Sequence, residues 1–123
     1  MIDVSNNQLL IIKAILKKHF PTCEVRAFGS RVNGKSKPYS DLDLVVIGLE
    51  KIDLKKMFQA EEAFEESVLP FRIDLLDWYA ITNSFRKIIE QNCEVLQEGA
   101  PEQVSGYQGV RGTGHGTCPR VPL

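Results

Sequence analysis

The sequence predicts an α+β domain: a small mixed β-sheet flanked by helices. Three observations carry that prediction. Apolar runs of strand length occur at residues 24–28, 41–47 and 71–76, each bounded by glycine or proline. Stretches with helical apolar spacing are interspersed among them. The chain has 123 residues, enough for one domain and one core but little more.

The elements follow in chain order. Residues 5–19 are expected to be helical: Ser5 or Asn6 can cap the start, Leu9, Ile12, Ile15 and Leu16 recur on one face, and Pro21 prevents continuation. Lys17 and Lys18 fall in the last turn, where the helix dipole favours cations. Residues 24–28 alternate polar and apolar, the pattern of a half-buried strand, and stop at Gly29-Ser30. A polar stretch covers 31–40. Residues 41–47 open by alternating and finish fully apolar, which predicts a strand whose far end is buried on both faces. Residues 53–67 predict an amphipathic helix capped by Asp53, with Leu54, Met57, Phe58, Glu61, Phe64 and Val68 near helical spacing. Pro70 separates it from the strand at 71–76. Thr82 or Asn83 caps a last helix through Gln91, with Phe85, Ile88 and Ile89 as its stripe. Residues 94–96 fit either a short edge strand or a helical extension.

The domain is therefore expected to span residues 1–98. From Gly99 to Leu123 the chain holds six of its nine glycines and three of its six prolines with few large apolar residues. Such a segment cannot offset its ordering entropy by burial, so 99–123 is expected to be a disordered tail. His115 and Cys118 within it have ligand-like spacing but no further ligands nearby, and are not read as a metal site.

Composition excludes some classes. A formal net charge of -1 argues against a protein that binds nucleic acid directly, which needs a basic surplus. The first apolar run, 9–12, is too short for a signal core, and nothing is long enough to span a bilayer. A soluble cytoplasmic protein without membrane contact is expected.

Three features carry chemistry. Gly29-Ser30 is a turn between a strand and a possible short helix, where glycine lets the backbone approach an anion and free amides point toward it. Asp41-Leu42-Asp43 places two carboxylates on one side of a strand, since side chains two apart share a face. Held that close against an apolar run they repel, and a hard divalent cation such as magnesium is the natural compensation. Asp74 sits between Ile73 and Leu75 on the next predicted strand. If the two strands are neighbours, the three carboxylates converge, and Asp74 becomes a metal ligand, the base for an attacking hydroxyl, or both. Asp77, at the strand's end, reads as a turn or cap residue.

Gly29-Ser30, ten intervening residues, Asp41-Leu42-Asp43 and a later Asp74 resemble the signature of the polymerase-β-type nucleotidyltransferase superfamily. Within it, residues 27–31 and 39–44 are similar to the minimal nucleotidyltransferases, antitoxin partners of HEPN-domain proteins in prokaryotic two-gene modules. The resemblance covers roughly residues 5–98. It implies a polymerase-β-type core; catalytic and metal-binding roles for Asp41, Asp43 and Asp74; two magnesium ions; and ATP held by Gly29, Ser30, Arg31 and Lys35. It further implies transfer of AMP to a hydroxyl, a tyrosine, of a HEPN-domain toxin bound in a hetero-oligomer. Members often carry Arg directly before the glycine that is Gly34 here. This chain has Asn33, which leaves Arg31, Lys35 or Lys37 to supply that charge.

About a hundred ordered residues leave little room for an acceptor-binding domain, so the site should be shallow and the acceptor should come from the partner. Phe58, Phe64, Trp78 and Phe85 are candidates for that interface, with core packing the commoner use of such residues. Two other readings stand beside the enzyme: a non-catalytic antitoxin acting by occlusion, and an antibiotic-type nucleotidyltransferase acting on a small molecule.

Overall fold

The computed structural model describes residues 2–37 and 39–99. Along them run α1 (Asn6–His19), β1 (Glu24–Phe28), the short α2 (Ser30–Asn33), β2 (Leu42–Ile47), α3 (Leu54–Glu65), β3 (Ile73–Asp77), a 3-10 turn at Trp78–Ala80, α4 (Asn83–Gln91) and β4 (Cys93–Gln97). The expectations for residues 100–123, His115 and Cys118 included, lie outside the described residues.

Local chemistry sets most boundaries. At α1, Ser5 Oγ accepts from the Gln8 amide at 3.1 Å while Gln8 Oε1 accepts from the Ser5 amide at 2.9 Å, a reciprocal cap. Asp53 and Thr82 accept from the Lys55 and Phe85 amides and start α3 and α4 in the same way.

The four strands form one sheet in the order β3-β2-β1-β4. β1 runs antiparallel to both its neighbours, whereas β2 and β3 are parallel and joined through α3. Residues 94–96 thus belong to an edge strand. Alternation then divides the side chains between two faces. Val25, Ala27, Leu42, Leu44, Val46 and Leu75 pack with Ile12 and Leu16 of α1 and Met57, Ala60 and Phe64 of α3. On the other face Phe28 and Val45 pack with Ile89 of α4, joined by Leu76, Trp78, Ile81 and Phe85.

Two expectations are corrected. β1 is buried along its whole length rather than on one face. It is a central strand roofed on both sides, and its polar residues Glu24 and Arg26 go inside as an ion pair, Arg26 Nε to Glu24 Oε2 at 2.7 Å. Helix α3 buries Met57, Ala60 and Phe64 but leaves Leu54 and Phe58 in solvent, and Val68, expected on the same stripe, falls beyond the helix end and is also exposed. The small Ala60 lets the helix come close to the sheet on a face rotated from the one its largest apolar residues suggest.

Candidate active site

The site lies at one end of the sheet face that α4 covers. β1 ends at Phe28, and Gly29 turns the chain with φ +85°, a conformation open to glycine and strained for L side chains. The Gly29 carbonyl accepts from the Val32 and Asn33 amides, both at 3.0 Å, which winds Ser30–Asn33 into α2. Gly34, also at φ +85°, ends that turn of helix.

Register places the carboxylates. Phe28 pairs with Asp43 across the antiparallel ladder, and Asp43 pairs with Asp74 across the parallel one. Gly29, the next residue after Phe28, therefore lies against Asp43: a β-carbon built at position 29 would stand 3.2 Å from Asp43 Cγ and closer still to Oδ2. Asp41 precedes the ladder, because β2 begins at Leu42, whose amide donates to the Arg72 carbonyl at 2.9 Å. Asp41 and Asp74 are exposed and Asp43 is half-buried.

This arrangement is electrostatically uncomfortable for Asp43. Burial first, then the charges of Asp74 and Asp41, push its carboxyl up to about 6. A divalent cation among these oxygens would relieve all three causes, so the donor set fits a hard metal such as magnesium. Among the described residues, no three His, Cys, Asp or Glu side chains stand in a ready-made metal cage.

The expected phosphate-binding residues separate. Gly29 and Ser30 lie at the turn beside Asp43, and Lys35 is exposed just beyond Gly34. Arg31 is only 5% exposed, and its guanidinium donates to three main-chain carbonyls: Nε to Ser40 at 2.9 Å, Nη1 to Asp3 at 2.8 Å and Nη2 to Lys37 at 3.3 Å. It also lies over the Phe71 ring at 4.1 Å. That guanidinium is committed to the fold, and the phosphate contacts are assigned below without it. Asp77 is buried, accepting from the Ile52 amide at 2.8 Å and the Tyr79 amide at 3.0 Å, so it is a cap as read from sequence.

Sequence reading missed the aromatic surroundings. Phe28 and Phe85 meet edge to face at 5.8 Å next to Asp43, and Phe71 carries Arg31. The apolar stripe of α4 hinted at the first; no local pattern pairs Arg31 with a ring forty residues away. Among the interface candidates, Phe64 is core, Trp78 and Phe85 are half-buried and Phe58 is 63% exposed.

Comparison with known proteins places the chain in a family. The family model described as polymerase beta, nucleotidyltransferase matches residues 11–101. A Haemophilus influenzae protein named "Probable protein adenylyltransferase MntA" is 47% identical over 97 residues, covering 79% of this chain and 85% of that one. The "Protein adenylyltransferase MntA" of Thermococcus cleftensis is 32% identical over 77 residues, 63% of this chain and 77% of its own. In fold the chain is similar to a crystal structure of a toxin-antitoxin with AMP-PNP, with TM-score 0.63, 20% identity, and 87% and 90% of the two chains covered. It is also similar to a structure of a tri-AMPylated Shewanella oneidensis HEPN toxin in complex with MNT antitoxin, with TM-score 0.55, 17% identity, and 84% and 89% covered. The family match and the sheet topology together define a nucleotidyltransferase. This chain belongs to the polymerase β nucleotidyltransferase family, and the α+β core expected from its sequence is that family's fold.

No helix among the described residues is long and apolar enough to cross a membrane.

Proposed function

We propose that this chain is a protein adenylyltransferase that moves AMP from ATP to a hydroxyl, a tyrosine, on a HEPN-domain toxin bound to it, and so acts as that toxin's antitoxin. The observation that carries the reading is the alignment of Gly29, Asp43 and Asp74 across neighbouring strands. The 47% identical relative named as an adenylyltransferase supports it, and the toxin-antitoxin fold neighbours supply the class of partner.

Ser30 and the amides after Gly29 hold the β- and γ-phosphates, with Lys35 adding charge from the loop. Asp41, Asp43 and Asp74 would hold magnesium, two ions in the full site, which would supply charge neutralisation on the triphosphate and lower the pKa of the acceptor hydroxyl. The acceptor oxygen forms a bond to the α-phosphorus while the bond to the bridging oxygen breaks and pyrophosphate leaves. Asp74, open to solvent beside Asp43, takes the hydroxyl proton.

The test is intact mass. The protein is incubated with ATP, magnesium and the product of the adjacent gene. An adenylyl-sized gain on the partner, absent with Asp41→Asn, supports the proposal. Full neutralisation of the toxin without any gain overturns it in favour of occlusion.

A further inference from the structure

Asp41 has a problem that Asp43 and Asp74 do not. Those two lie within hydrogen-bonded strands, whereas Asp41 precedes the first residue of β2 and follows a polar loop. Sheet hydrogen bonds therefore fix the carboxylates at 43 and 74, and the Leu42 amide bond to the Arg72 carbonyl at 2.9 Å fixes the peptide leaving Asp41, but the peptide entering Asp41 is left to whatever holds the loop.

What holds it is Arg31. The Ser40 carbonyl that receives Arg31 Nε at 2.9 Å belongs to the same planar peptide unit as the Asp41 nitrogen, so this bond orients the backbone entering Asp41. Nη2 takes the Lys37 carbonyl, at the other end of a turn closed by Ser40 N to Lys37 O at 2.9 Å and Lys37 N to Ser40 Oγ at 2.8 Å. Nη1 reaches the Asp3 carbonyl, and the Arg31 carbonyl accepts from the Asp3 amide at 2.7 Å. Asp3 in turn accepts from Ser36 Oγ. The guanidinium carbon lies over the ring of Phe71, 4.1 Å from its centre, and Phe71, 8% exposed, leads into β3 and Asp74. Arg31 itself stands one residue after Ser30. A single planar group thus ties the phosphate turn, the approach to Asp41 and the entry to β3 together.

We infer that Arg31 is a positioning residue that sets Asp41 relative to Gly29-Ser30 and Asp74 through the Ser40 carbonyl, and that it does not touch the nucleotide. The inference rests on the adenylyltransferase reading for what Asp41 does. Lysine cannot replace the residue, because an ammonium has neither the guanidinium's fixed fork for three carbonyls nor its flat face for a ring.

The experiment compares wild type, Arg31→Lys and Phe71→Leu, all as the full chain. Binding of Mn2+ is followed by electron paramagnetic resonance at fixed AMP-PNP, AMP-PNP binding is measured separately in EDTA, and hydrogen exchange is read at amides 37 and 40. Arg31→Lys is expected to weaken Mn2+ binding at least tenfold, change metal-free AMP-PNP binding less than twofold, and speed exchange at both amides. Phe71→Leu keeps the carbonyl bonds and should shift all three in the same direction by less. Unchanged Mn2+ affinity overturns the inference. So does a tenfold loss of metal-free AMP-PNP binding, which would make Arg31 a direct phosphate contact. If Arg31→Lys does not fold, wild-type Mn2+ affinity and exchange in Phe71→Leu overturn it instead. A wild type that binds Mn2+ but moves no AMP sinks the reading of activity alone, since ion binding and exchange still report on position.

Discussion

Gly29 lies so close to the carboxylate of Asp43 that a β-carbon at position 29 would overlap Oδ2, at a backbone angle of φ +85° that side chains resist. The glycine thereby brings the Gly29-Ser30 turn against the Asp43 carboxylate, and the contact is specific to a residue without a side chain. Gly29→Ala is expected to destabilise the fold by about 1 kcal/mol or more, because both the angle and the contact must give. Transfer should fall at least a hundredfold. Thermal unfolding and the intact-mass assay check the two arms, and Gly34→Ala is the control. Position 34 has the same φ but open space around its β-carbon, so it should lose stability with much less effect on transfer.

The carboxyl of Asp43, raised to about 6, is expected to make ion binding at the proposed site depend on pH. A proton and a cation compete for the same oxygens, so Mn2+ affinity should drop as pH falls through about 6. Metal-free stability has the opposite sign. The folded state holds this proton more tightly than the unfolded chain, so the group favours folding at low pH and loses that contribution as pH rises from about 4 to above 6. Urea unfolding in EDTA should therefore show the advantage of Asp43→Asn over wild type growing across that window. A constant difference would contradict the assignment.

Asp74 is the larger of the two charged neighbours acting on Asp43, after burial. Asp74→Asn is expected to lower the Asp43 titration midpoint more than Asp41→Asn does, and neither should return it to the ordinary carboxylate range while the group stays half-buried. Carboxyl carbon NMR titration measures this directly. Asp74→Asn should also cut transfer at least a hundredfold with the fold intact.

Asp74 and Asp77 make a paired test. Three residues apart on one strand, they face opposite tasks: Asp74 is exposed beside Asp43, whereas Asp77 caps the 3-10 turn and holds the Ile52 amide. Asp77→Ala leaves two amides without their acceptor and should cost about 1–3 kcal/mol, read by urea unfolding, with Mn2+ affinity unchanged below the melting range. Asp74→Asn should do the reverse.

Helix α4 supplies the wall beside the site, and Ile89 is its fully buried anchor against Phe28 and Val45. Ile89→Ala is expected to cost about 2–5 kcal/mol, measured by chemical denaturation. Residual transfer in the folded fraction should survive, because Ile89 packs with the apolar Phe28 and Val45.

Much of this protein follows from local rules that act over one or two turns of chain. Ser5, Asp53 and Thr82 cap helices because their oxygens reach amides two or three residues on. Gly29 turns the chain because only glycine accepts that angle readily, and 42–47 is a strand because its apolar run is short and β-branched. The Gly-Ser and Asp-x-Asp spacing sufficed to suggest the family. Long-range packing decided the rest. That β3 lies parallel to β2 with Asp74 beside Asp43 depends on how α3 returns the chain, which no short window contains. The same holds for Glu24 and Arg26, polar residues taken inside as a pair because β1 is central. Arg31 reads in sequence as a cation near phosphates and became, in three dimensions, the residue that holds the Ser40 carbonyl. A charged side chain's role depends on which acceptors reach it, and those acceptors come from segments far away along the chain.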